Sequence, residues 1–196
     1  MKGRMEQIIP IVSFLGFCWL AMQAVHEFGH VAATVVSGGT VEQVVLHPLT
    51  ISRTDVGTNP HPVLEIWAGA VAGVALPLLV LVMAWAVHSP GLYLFRFFAG
   101  FCCVANGTYI AFGPSDTGMD TEIMLLLGAS RWQLLLFGVP AIALGLYLWH
   151  GLGPHFGLGE AKGRVSRSAV LVSLALLSMT VIVELALWKA GILAGS

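Results

Sequence analysis

Apolar residues gather into long runs near 8 to 37, 63 to 88, 92 to 113, 132 to 150 and 168 to 188, with a shorter one at 121 to 128. A helix needs about 20 apolar residues to cross a hydrocarbon core ~30 Å thick. Five runs therefore predict spanning helices, and the short one predicts a partial sixth. The break at Gly128-Ala129-Ser130-Arg131 leaves open whether 121 to 150 is one broken helix or a half-helix followed by a span. The first run would make a helix of about 45 Å, enough to tilt or to begin among lipid headgroups. Gly38-Gly39 ends it.

Between the first two runs the pattern changes. Val41 to Arg53 is rich in Val, Ile and Thr, is interrupted by Pro48, and alternates through Leu49-Thr50-Ile51-Ser52-Arg53. This predicts two short strands in a hairpin, then a turn-rich stretch from Asp55 to Pro60. Segment 151 to 168, with Lys162, Arg164 and Arg167 among glycines, reads as a solvated loop. No linker, low-complexity tract or repeat is visible. Residues 1–196 are expected to form one membrane-embedded unit, with a core over 8–120 and additional helices over 121–196. The predicted class is all-α, a polytopic integral membrane protein of five to six transmembrane helices with a short β-hairpin after the first.

Composition sharpens that reading. The chain is 57% apolar and 10% charged, whereas a soluble domain carries about 25% charged residues. It is expected in a bilayer, as a multi-pass protein of the cell membrane. Nine basic and ten acidic side chains leave a net charge of -1, so no global field favours nucleic acid. Cys18, Cys102 and Cys103 lie inside apolar runs and read as small packing residues. Lys2 and Arg4 ahead of an apolar stretch are similar to a secretory signal. Cleavage after Ala24, however, would strand a charged motif at a new terminus, so an uncleaved first span is expected. With the amino terminus in the cytoplasm, Lys2, Arg4 and the cluster at 162 to 167 fall inside, and Arg53, Arg131 and Lys189 fall outside.

The chemistry lies in the first span, at His26-Glu27-Phe28-Gly29-His30. Residues four apart share a helical face, so His26 and His30 can bring two imidazole nitrogens to one zinc ion. Glu27, beside the first ligand, projects toward the open metal position as a general base for water. A carboxylate at a helix centre in lipid costs about 2.5–3.5 kcal/mol, which makes an accidental motif less credible here. A catalytic zinc needs a third protein ligand. The end of the third span offers Asp116 after the Gly113-Pro114 break, with Asp120 as its rival and Glu122 as a weaker one.

The H-E-x-x-H string, followed by Asn106 and Pro114-x-Asp116-x-Gly118, resembles the site-2 protease family of intramembrane zinc metalloproteases. The resemblance covers roughly residues 20 to 120, closely at the first motif and loosely at the second. The family's D-G pair is here Asp116-Thr117, and no proline closely follows Asn106. The resemblance implies His26, His30 and Asp116 as ligands of Zn2+, Glu27 as general base, and Asn106 as a substrate or oxyanion contact. It further implies an endopeptidase acting on a membrane-embedded or membrane-adjacent polypeptide, with the metal near the cytosolic face; the charge count places that end of the first span outside. A different class remains open: a non-catalytic metal-binding membrane protein, whether transporter, haem carrier or inactive scaffold.

Four further expectations follow from the residues. Gly69-x-x-x-Gly73 permits close approach of the second span to the metal-bearing helix. His47 and His61, flanking the hairpin, are expected to be solvated. Glu184 is expected to reach the interface near Lys189. The free edge of the hairpin is expected to pair with an extended substrate segment.

Overall fold

The computed structural model describes residues 2–114, 118–161 and 163–189, the first five of these as backbone alone. In chain order the elements are α1 (Lys2–Val36), β1 (Val41–Val45), β2 (Arg53–Val56), α2 (Pro62–Ala86), α3 (Leu92–Phe112), α4 (Asp120–Leu126), α5 (Arg131–Trp149) and α6 (Arg167–Lys189). Two single-turn 3-10 helices lie between α5 and α6. Five helices, α1, α2, α3, α5 and α6, are long and apolar enough to cross a membrane. Their outer faces carry Trp85, Leu136, Leu171, Met179 and Ile182 largely exposed, a surface whose apolar side chains suit lipid better than water.

The short run at 121 to 128 forms a seven-residue helix of its own. Gly128, at φ 94°, turns the chain where a side chain would be strained. Ser130 then starts α5 with a capping box: its hydroxyl accepts the Gln133 N–H, and its own N–H donates to Gln133 Oε1 at 2.6 Å. The expected hairpin is present, but its second strand begins later. Pro48 and a turn closed by the Thr50 N–H on the His47 carbonyl occupy the connection, so pairing starts at Val45 with Arg53 and ends at Val41 with Val56, with a bulge at Glu42.

Small residues set the helix spacing. Gly107 and Gly138 lie face to face between α3 and α5, as do Gly100 and Gly145. A Cβ at Gly29 of α1 would run into the Ala68 carbonyl and Ala72 of α2. These close approaches replace the hydrophobic driving force that is absent between helices in lipid. α1 thus lies between α2 and α6, and α3 between α2 and α5. The last third of α1, the start of α2, the end of α3 and the start of α4 meet around His26 and His30, and the hairpin packs on α1 beside them.

Two expectations change. Glu184 is buried rather than extended toward the interface, and its Oε2 has no partner among the described residues. It shares a face of α6 with buried Ser173, eleven residues or about three turns away. His47 is not merely solvated: its ring stands edge-on to Trp188, centroids 5.3 Å apart.

Candidate metal centre

One face of α1 carries Gln23, His26, Glu27, His30 and Thr34, all buried. Their spacing of three and four residues makes a polar stripe along an otherwise apolar helix. His30 lies six residues from the end of α1 at Val36, about 9 Å along the axis.

His26 Nε2 and His30 Nε2 stand 3.1 Å apart. Asp120 Oδ2, from the first turn of α4, lies 2.8 Å from the former and 3.3 Å from the latter. Each ring is fixed from outside through its other nitrogen. His26 Nδ1–H donates to Asn106 Oδ1 at 2.7 Å, and Asn106 is oriented in turn because its Nδ2 donates to the Cys102 carbonyl at 2.9 Å. His30 Nδ1–H donates to Glu65 Oε1 at 2.9 Å and to the Glu65 carbonyl at 3.1 Å. Both sets of partners are acceptors, so a neutral imidazole at either position carries its lone pair on Nε2.

Two such lone pairs and a carboxylate oxygen converging on one space repel one another until a cation enters it. The spacing fits a metal. Donors held tetrahedrally at ~2.0–2.1 Å from zinc stand roughly 3.3 Å from each other, close to the three separations found. His26, His30 and Asp120 therefore form a group that could hold a metal ion. Burial pushes the Asp120 carboxyl up, but hydrogen bonds from the two rings, when protons fill that space, outweigh it and hold the group well below the usual carboxylate range.

The glycine pair of α2 makes room for this arrangement. A Cβ at Gly69 would strike the His30 ring, and one at Gly73 would lie 2.5 Å from Asn106 Oδ1. The second span approaches α1 closely, as expected, and the four-residue spacing serves both rings: one glycine admits His30, the other admits the amide that holds His26.

Glu27 is 4% exposed. Its two oxygens accept hydrogen bonds from Ser52 Oγ at 2.8 Å and Thr54 Oγ1 at 2.7 Å. Ser52 N–H also donates to Gln23 Oε1 at 2.9 Å, one turn earlier on α1. Ser52 and Thr54 share a face because strand side chains alternate; Arg53 and Asp55 pair with each other at 3.2 Å on the other.

No protein-family model, curated protein or solved structure matches this chain.

Of the expected site residues, the structure gathers His26, His30, Glu27 and Asn106. Asp116 lies outside the described residues, and the carboxylate brought to the two rings is Asp120. Asn106, expected at substrate, accepts from His26 through Oδ1, donates one Nδ2 hydrogen to the Cys102 carbonyl, and is 2% exposed. Glu122 accepts the Gly118 N–H at 2.6 Å and so holds the loop before α4. Glu65, Tyr109, Ser52 and Thr54 were not anticipated. An acid at the start of an apolar run was the one available signal, for Glu65.

Outer partners of metal-binding histidines commonly tune affinity 10–100-fold. Glu65→Gln keeps the shape but removes the anion beside His30. Zinc affinity, measured by competition with a chromophoric chelator, is expected to fall by about that factor; unchanged affinity would show that Glu65 does not support the centre.

Proposed function

We propose that this protein is a zinc-dependent intramembrane endopeptidase of the site-2 protease type, acting on polypeptides embedded in or adjacent to the bilayer. The observation that carries this reading is the convergence of His26 Nε2, His30 Nε2 and Asp120 Oδ2 at 2.8–3.3 Å, each ring anchored through Nδ1, beside buried Glu27. Two histidines and one carboxylate leave a fourth tetrahedral position free, the pattern of a catalytic rather than a closed structural zinc site.

His26, His30 and Asp120 would hold the ion. Zinc bound there supplies a Lewis acid and a water whose pKa is brought to about 7. Glu27 takes a proton from the attacking water and returns it to the leaving amine. Asn106 and Glu65 act on the ligands, fixing ring orientation and tautomer. Five helices long and apolar enough to cross a membrane support a setting within a bilayer, and a position about 9 Å from the end of α1 would keep the site within reach of water.

The test is metal-dependent hydrolysis by the full chain purified in detergent, with casein as a generic unfolded substrate. Chelation is expected to abolish cleavage and zinc to restore it. Cleavage that survives chelation with no metal left in the protein would refute the assignment.

One observation favours a second reading, a metal-binding membrane protein without hydrolysis. Both Glu27 oxygens are engaged by Ser52 and Thr54, as those of a purely structural carboxylate would be. In that case metal binding or transport needs no base at position 27.

A further inference from the structure

Resting on the peptidase reading, we propose that Tyr109 is a further catalytic residue, its phenol O–H donating to the scissile carbonyl oxygen as that oxygen becomes an oxyanion. Acyl transfer through a tetrahedral intermediate requires a donor aimed at the developing charge. Several side-chain donors around the centre are committed. Asn106 Nδ2 donates to the Cys102 carbonyl, Ser52 and Thr54 donate to Glu27, and both Nδ1–H groups are spent on Asn106 and Glu65.

Tyr109 is not committed in this way. It comes from the last third of α3, is half-buried, and sets its ring edge-on to His26 with centroids 5.9 Å apart. Its hydroxyl oxygen accepts the backbone N–H of Asp120 at 3.1 Å. Among the described residues, the phenol's own proton has no acceptor. This O–H therefore stands against two of the three proposed ligand residues with its donor unused. Accepting the Asp120 N–H also strengthens it as a donor, because linked hydrogen bonds polarise one another. The Thr121 hydroxyl, donating to the Tyr109 carbonyl at 3.0 Å, ties the two helices together at this point.

The step balances as follows. The water oxygen bonds to the carbonyl carbon, one of its protons passes to Glu27, and the carbonyl π pair moves onto the oxygen that Tyr109 contacts. On collapse the C=O bond reforms, the C–N bond breaks with its pair going to nitrogen, and nitrogen takes the proton from Glu27. The remaining hydroxyl proton leaves the new carboxyl group to solvent. Tyr109 keeps its proton throughout.

Tyr109→Phe retains the ring against His26 and removes only the hydroxyl. In the full-length zinc-loaded protein with casein, kcat is expected to fall about 10²–10³-fold, with KM and metal content unchanged. A phosphinic pseudodipeptide, whose tetrahedral P–O⁻ copies the intermediate, is expected to bind the variant more weakly by a similar factor. A simple alkyl thiol, which meets the metal through sulfur, is expected to bind both proteins alike. Loss of metal in the variant would mean that Tyr109 acts only by holding Asp120. A rise in KM alone would mean that it merely packs against substrate, and an unchanged kcat would mean that it does neither; each overturns the proposal. A wild-type protein that loads zinc yet neither cleaves casein nor binds the phosphinate overturns the peptidase reading, and this proposal with it.

Discussion

Glu27→Gln is expected to lower hydrolysis by about 10²–10⁴-fold, the usual contribution of a positioned general base, while leaving bound metal at the wild-type level. Glu27 is not one of the three converging donors, so the centre loses no ligand. The amide has the same shape as the carboxylate, and the Ser52 and Thr54 hydroxyls that now donate to position 27 can accept from it as well. The hairpin therefore stays on α1, and the loss is one of proton transfer rather than folding. Metal analysis beside a cleavage assay checks both halves. Cleavage retained in the variant would place the base elsewhere. Transport or metal binding that proceeds normally in a protein showing no cleavage in either form would favour the non-hydrolytic reading.

The second large effect concerns the third ligand. Asp120→Asn is expected to strip the metal, a loss greater than the about 10–100-fold cost of disturbing an outer partner. It removes an anion 2.8 Å from one ring nitrogen and 3.3 Å from the other, leaving two imidazoles to hold a divalent cation in a buried site. Asp116→Asn is expected to keep a full complement of zinc. Metal content of the two purified variants, read by elemental analysis, decides between the carboxylates. An Asp116 variant that is empty beside an Asp120 variant that is full would reverse the ligand assignment.

These expectations were unevenly legible in the sequence. The helices could be read because a bilayer imposes one length on every apolar run, and the H-E-x-x-H pair because helical spacing alone brings residues 26 and 30 together. The polar stripe from Gln23 to Thr34 carries the same information over three turns. The status of 121 to 128 was also recoverable: Ser130 and Gln133 form a capping box whose spacing marks a new helix start. The hairpin was harder. Alternation at 49 to 53 suggested its second strand, yet Pro48 and the turn after His47 delay pairing until Arg53.

What the chain determined alone is local: five apolar lengths, two imidazoles one turn apart, and a carboxylate beside them. Which acid completes the group, which residues hold the rings, and what covers Glu27 depend on contacts between segments 25 to 94 residues apart. Gly69 shows the reason. Nothing in its own neighbourhood marks it as part of the His26–His30–Asp120 group, and it lies against that group only because α2 crosses α1 closely enough for His30 to occupy the space a side chain would have filled. Asn106 shows it again, since a buried amide must bond to something. Here that partner is His26, because of where α3 lies against α1.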